Sequence, residues 1–217
     1  MCRALKGFYR GPRRLAPRVV VLNYGVGNLF SIKNALEKAG VNVEVLSDIH
    51  SSENIDAIVL PGVGNFRMGS KKLLRIKDQI TDLVENNVPI LGICLGMQLF
   101  FKKSEESPGN PGLNLLDGVV VKFPKNVKIP HMGWNTIEIV RSSDFLEGVS
   151  EKDYFYFVHS YYAIPKDPSI IVAKTEYGVN FPSVVAKNNI FGVQFHPEKS
   201  GESGKKIIKN FLRIIKR

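Results

Sequence analysis

Cys94, His196 and Glu198 are the side chains whose types and spacing could carry out covalent chemistry. Cys94 sits in "GICLG" (92–96) at the end of the apolar run "VPILGIC", which is the nucleophile-elbow pattern G-x-S-x-G with sulfur in place of the serine oxygen. A sharp strand-to-helix turn is crowded, so its flanks must lack side chains if the nucleophile is to project. The segment that follows, "LGMQLFFKK", reads as a helix, whose N-terminal dipole would favour thiolate. A cysteine in an apolar run also reads as a buried structural thiol, so the nucleophile reading needs a base.

"GVQFHPEKS" (192–200) offers one. Pro197 biases His196 toward extended backbone, where residues two apart point to the same side. Glu198 can then hold the imidazole in one tautomer, completing a nucleophile, base and orienting acid. His50 lies in a polar turn, and His131 and His159 have no carboxylate two positions on, which makes them weaker bases. Acyl transfer also needs donors for a developing oxyanion. Natural sources are the N–H of Leu95, just past the nucleophile, and the amides of Gly62, Val63 and Gly64 in "LPGVG" (60–64). No spacing of Cys, His or carboxylates suggests a metal, and neither metal nor cofactor is expected.

Two glycine motifs fail as nucleotide sites. "GVGNLF" (25–30) has Phe30 where a dinucleotide fingerprint needs its third glycine, and "GNFRMGSK" (64–71) ends Ser-Lys where a P-loop needs Lys then Ser or Thr.

The elements that must position these residues follow from periodicity. "RVVVLNYG" (18–25), "IDAIVLPG" (55–62) and "VPILGIC" (88–94) are apolar on both faces, and "VNVEVLS" alternates. Between them, "NLFSIKNALEKAG" (28–40) and "MGSKKLLRIKDQITDLVENN" (68–87) have helical spacing. Buried strands separated by helices predict an α/β fold, its mostly parallel sheet covered on both sides. From 119 to 195 the segments "VVVKF", "NTIEIV", "YFYFVHSYYAI", "IIVAKTEYG", "SVVAK" and "IFGVQF" predict a more antiparallel region. A closing helix in "GKKIIKNFLRIIKR" presents Ile207, Ile208, Phe211, Leu212 and Ile215 on one stripe.

At 217 residues the chain fits one domain, read as 18–217. No apolar run approaches the ~20 residues of a membrane helix, so no membrane role is expected. Two cysteines, Cys2 and Cys94, give no disulfide framework, and a reducing cytoplasm fits. The first eighteen residues carry six Lys or Arg and no acid, six of the ten net positive charges. Residues 1–17 read as a flexible basic extension, or as an arm for nucleic acid or an acidic partner. The body has no basic stripe interleaved with aromatics, so nucleic acid is not an expected partner.

Taken together, "GICLGMQ" (92–98), "QFHPE" (194–198) and "PGVG" (61–64) resemble the triad (class I) glutamine amidotransferases, over residue 18 to the C-terminus. Within that class "NYGVGNL" (23–29), "PHMGWN" (130–135) and "HSY" (159–161) resemble the glutaminase subunits of imidazole glycerol phosphate synthase, of histidine biosynthesis. The resemblance implies a flavodoxin-like amidotransferase fold and a Cys94–His196–Glu198 triad. It also implies glutamine held at Gln98, Ser160 and Tyr161, and a (β/α)₈ cyclase partner that receives ammonia in a heterodimer. Trp134, the only tryptophan, is expected to anchor that partner, with Met132 and Asn135 beside it; a core tryptophan is the other reading. The rival functions are a glutaminase serving another synthase, such as those making pyridoxal phosphate, anthranilate or GMP, and a binding module that kept the elbow without using it.

Overall fold

A computed structural model describes residues 16–25, 27–49 and 54–215. The basic stretch 1–15, Val26 of "GVGNLF" and His50 lie outside the described residues.

The first half alternates strands and helices in the expected order. β1 (Arg18–Leu22), α1 (Leu29–Lys38), β2 (Asn42–Leu46) and β3 (Ala57–Leu60) are followed by α2 (Phe66–Leu73), α3 (Lys77–Glu85) and β4 (Ile90–Ile93). Two helix ends are fixed by side chains: Asn28 accepts from Ser31 N–H at the start of α1, and Asn65 from Met68 N–H at the start of α2. The single helix expected over 68–87 is interrupted by a 3₁₀ turn at Leu74–Ile76. Residues three apart eclipse in a 3₁₀ turn, so Leu73 and Ile76 bury together.

After the elbow the expectation also changes. The helix α4 is one turn only (Leu95–Gln98), and the chain then enters β5 (Phe101–Ser104). Leu99, Phe100 and Phe101 are all fully buried. Three consecutive buried residues do not fit one face of a surface helix, so the pattern breaks there. The dipole acting on Cys94 is therefore that of a single turn.

The second half supplies β6 (Leu116–Lys122), β7 (His131–Asn135), β8 (Glu138–Ile139), β9 (Phe155–His159), β10 (Tyr161–Pro165), β11 (Ile171–Glu176), β12 (Asn180–Lys187) and β13 (Ile190–Val193), before α5 (Gly201–Ile215). An eight-stranded sheet runs β2-β1-β3-β4-β13-β12-β11-β8. The five strands from β2 to β13 pair in parallel, and the last three are antiparallel. β13, read from sequence as part of the antiparallel region, thus joins the parallel set beside β4, with Gly192 opposite Gly92 and Val193 opposite Ile93. That pairing brings the chain just past β13, with His196 and Glu198, beside the end of β4, with Cys94. "YFYFVHSYYAI" is also not one strand. It divides at Ser160 into β9, which pairs with β7 in a two-stranded ribbon, and β10, which pairs with β6 in a β10-β6-β5 sheet.

Alternation in the parallel strands feeds both faces of the sheet. Val19, Val21, Ala57, Val59, Leu91 and Ile93 pack in one apolar cluster with α1 and α5; Val20, Leu22, Ile58, Leu60 and Ile90 pack in the other with α2 and α3. Of the predicted stripe on α5, Ile207, Ile208, Phe211 and Leu212 are buried, and Ile215 packs at the margin.

Candidate active site

The elbow exists because glycines let three backbones approach. Cys94 has φ +52° and ψ −106°, a conformation that costs an L-residue about 1–3 kcal/mol. It is held by Cys94 N–H donating to Val193 O at 2.7 Å and Gln98 N–H donating to Cys94 O at 3.1 Å. A Cβ on Gly96 would lie 2.0 Å from Leu60 O, and one on Gly92 2.6 Å from Met97 N. Gly62 packs on the elbow itself, since a Cβ there would lie 2.6 Å from Leu95 N and 2.5 Å from Gly96 N. Gly62 therefore lies directly against the Leu95 amide. Tyr24 OH donates to Pro61 O, and Gly27 N–H donates to Val63 O at 2.8 Å, pinning the segment from its other side.

His196 is 1% exposed, and its Nδ1 lies 2.9 Å from Glu198 Oε1. With a carboxylate there Nδ1 carries the proton, and Nε2 has no hydrogen-bond partner among the described residues. Burial lowers the affinity of His196 for a proton. Negative charge developing on Cys94, together with the Glu198 carboxylate on Nδ1, outweighs that and raises the imidazolium pKa to about 10. The backbone of this segment is tied to β9: His196 N–H donates to Tyr156 O at 2.9 Å, and Ser200 Oγ donates to His196 O at 2.6 Å.

The residues implied to hold glutamine converge on the elbow. Gln98, 4% exposed, donates Nε2 hydrogens to Tyr161 O at 2.8 Å and to Gln194 Oε1 at 3.1 Å. Ser160 and Tyr161 are partly buried where β9 passes into β10. On β7, Met132 and Trp134 are exposed, at 62% and 56%, which removes the core reading of Trp134. Asn135 points the other way, its amide donating to Glu176 O at 3.0 Å.

Three features escaped the sequence reading. Glu106 lies in the polar turn after β5; it accepts from Phe66 N–H at 3.0 Å, and burial raises its carboxyl pKa against that hydrogen bond. It is also near enough to Tyr161 to act on the phenol by charge. Gln194 donates Nε2–H to the Cys94 sulfur at 3.5 Å. His131 and His159 face each other in the β7–β9 ribbon, Nδ1 to Nε2 at 3.1 Å. Burial lowers the pKa of His131 to about 4 and of His159 to about 3, so both are neutral at pH 7. No spacing in the sequence could have paired them, because the ribbon register sets the contact. Among the described residues no cluster could hold a metal ion, and no helix is long and apolar enough to cross a membrane.

The sequence matches the family described as glutamine amidotransferase class-I over residues 20–215, and the chain belongs to that family. The fold agrees: PurLQS from Thermotoga maritima has a TM-score of 0.74 at 21% identity, covering 92% of this chain and 99% of that one. A glutamine amidotransferase from the same organism gives 0.68 at 17%, covering 93% and 97%. Within the class, the chain belongs with the glutaminase (HisH) subunits of imidazole glycerol phosphate synthase, in histidine biosynthesis. It is 49% identical over 200 residues to that subunit of Archaeoglobus fulgidus, covering 92% of this chain and 100% of the relative. The corresponding protein of Methanocaldococcus jannaschii is 48% identical over 197 residues, covering 90% and 98%.

Proposed function

We propose that this chain hydrolyses glutamine through Cys94, His196 and Glu198 and delivers the ammonia to a (β/α)₈ cyclase subunit in a cytoplasmic heterodimer. The observation that carries this is the buried His196–Glu198 pair, whose free Nε2 belongs to a ring under the electrostatic influence of a strained, positive-φ Cys94.

The steps follow from that arrangement. His196 Nε2 takes the Cys94 proton while Glu198 holds Nδ1–H, fixing the ring and stabilising the imidazolium. The thiolate attacks the side-chain carbonyl of glutamine, and the oxygen of the tetrahedral intermediate accepts from Leu95 N–H and amides of the Gly62–Gly64 segment. The C–N bond breaks as His196 returns its proton to nitrogen, releasing ammonia and leaving a glutamyl thioester on Cys94. Water, deprotonated by the same imidazole, hydrolyses the thioester to glutamate and regenerates the thiol.

Glutamine also carries an α-ammonium group. Glu106 is the counter-charge for it, since a half-desolvated carboxylate gains more from a cation than an exposed one does. Ammonia is protonated in bulk water and loses its nucleophilicity, so a closed path into the partner preserves it. That economy favours slow hydrolysis until the partner is loaded, with the glycine-flanked peptides of 62–64 as the moving part, their rotation exchanging the Gly27 N–H to Val63 O bond for one to the oxyanion. Met132 and Trp134 mark the docking face.

The test is glutamate release from glutamine with and without the cyclase subunit and its nucleotide ligand. Partner and ligand together will raise turnover well beyond about twofold, and Cys94→Ala will abolish it in both settings. Stimulation of twofold or less removes the switch; activity in Cys94→Ala removes the nucleophile.

A further inference from the structure

The Cys94 sulfur has two polar neighbours with opposite preferences. Its S–H points to Val158 O at 3.8 Å, a contact only the thiol can make. Gln194 Nε2–H points at the sulfur from 3.5 Å, a contact that strengthens when the sulfur becomes an anion. Which of the two ends of the Gln194 amide faces sulfur decides whether this neighbour helps or hinders ionisation.

The surroundings decide it without ambiguity. Tyr161 O can only accept, so Gln98 must turn its NH₂ group toward it, and the same nitrogen lies 3.1 Å from the Gln194 side chain. An amide nitrogen does not accept, so the Gln194 atom there is Oε1, and Nε2 is left facing sulfur. Tyr161 O is itself oriented by His159 Nδ1 at 2.9 Å, which must carry a hydrogen. A neutral ring then accepts at Nε2, so His131 donates from Nδ1, and His131 Nε2 accepts from Asn135 Nδ2 at 3.4 Å. Every hydrogen in this buried chain has one allowed direction, and the chain ends with an N–H aimed at the nucleophile.

Building on the reading of Cys94 as nucleophile, we propose that Gln194 is a catalytic residue that donates its amide N–H to the Cys94 thiolate, that Gln98 is the positioning residue that fixes its direction, and that His159, backed by His131, is a positioning residue that holds the Tyr161 carbonyl on which Gln98 is seated. When the S–H bond breaks, the proton passes to His196 Nε2, the electron pair stays on sulfur, and the Val158 O contact turns repulsive. The Gln194 N–H stays favourable throughout.

The test uses the full chain with Cys2→Ser, leaving Cys94 as the only thiol, and follows its alkylation by iodoacetamide against pH. In Gln194→Met, which keeps length and loses the donor, the thiolate fraction at neutral pH will fall about tenfold, as for loss of a hydrogen bond to a charged group. Turnover with the cyclase partner will fall in parallel, while KM stays within about twofold. If that variant does not fold, His159→Leu carries the same test: the profile will move the same way, and His159→Asn, whose amide replaces Nδ1–H, will restore it. An unmoved profile in Gln194→Met, or in His159→Leu, overturns the proposal; Cys94→Ala would still abolish glutaminase and leave the triad standing. Activity surviving Cys94→Ala would instead overturn the nucleophile and this role with it.

Discussion

Two residues apart in sequence and 2.9 Å apart in space, His196 and Glu198 make a pair that depends on its surroundings being dry. Both side chains are at most 4% exposed, so a neutral replacement of the carboxylate removes a stabilising charge that water cannot replace. Glu198→Gln therefore lowers kcat about a hundredfold or more, with KM nearly unchanged, in steady-state glutaminase assays of the complex. These residues were legible in the sequence because their relation is local, and flanking glycines mark the elbow. The extended segment expected there is corrected: only His196 is extended, and Pro197–Lys199 form a 3₁₀ turn that folds Glu198 back onto Nδ1. The contacts around them were not. Gln98 meets Gln194, ninety-six positions away, only because β13 lies parallel beside β4.

Elements place what residues supply. The elbow depends on Gly96 lying against Leu60 O, where a Cβ would come to 2.0 Å. Gly96→Ala must displace α4 or β3, at a cost of about 1–3 kcal/mol or more, and will lower Tm while abolishing turnover. The β7–β9 ribbon carries a different liability. His131 and His159 hold pKa values of about 4 and about 3, against about 6.5 in an unfolded chain. Relative to the unfolded chain, these lowered values cost nothing above about pH 6.5, where both states are neutral. As pH falls toward the folded values, the unfolded chain binds protons that the native ribbon does not, and stability is lost. The slope from His159 reaches up to about 1.4 kcal/mol per pH unit, and urea titrations from pH 7 to 4 will show it shrink in His159→Asn. The parallel strands were legible because burial on both faces writes an uninterrupted apolar run. The break at Leu74–Ile76 and the turn into β5 were not, since neither carries a Pro or Gly signal.

At the scale of the whole molecule, the exposed edge of the ribbon and the buried site share one strand. β9 pairs with β7, which presents Met132 and Trp134, and its carbonyls at Tyr156 and Val158 contact His196 N–H and the Cys94 sulfur. A partner seated on Trp134 thus sits one strand away from the nucleophile. Trp134→Ala will weaken binding of the cyclase subunit by about tenfold or more, while the Tm of the isolated chain stays within a degree or two because the ring is solvent-facing. A folding defect with unchanged partner affinity would contradict that placement. The chemistry proposed for Cys94 is covalent, and acid quench of the complex during turnover of isotopically labelled glutamine, followed by peptide mapping, reads it out. A glutamyl label on the peptide bearing Cys94, lost on mild base and absent in Cys94→Ser, is the predicted result. Glutamate formed at full rate with no label on Cys94, or by Cys94→Ala, would contradict it.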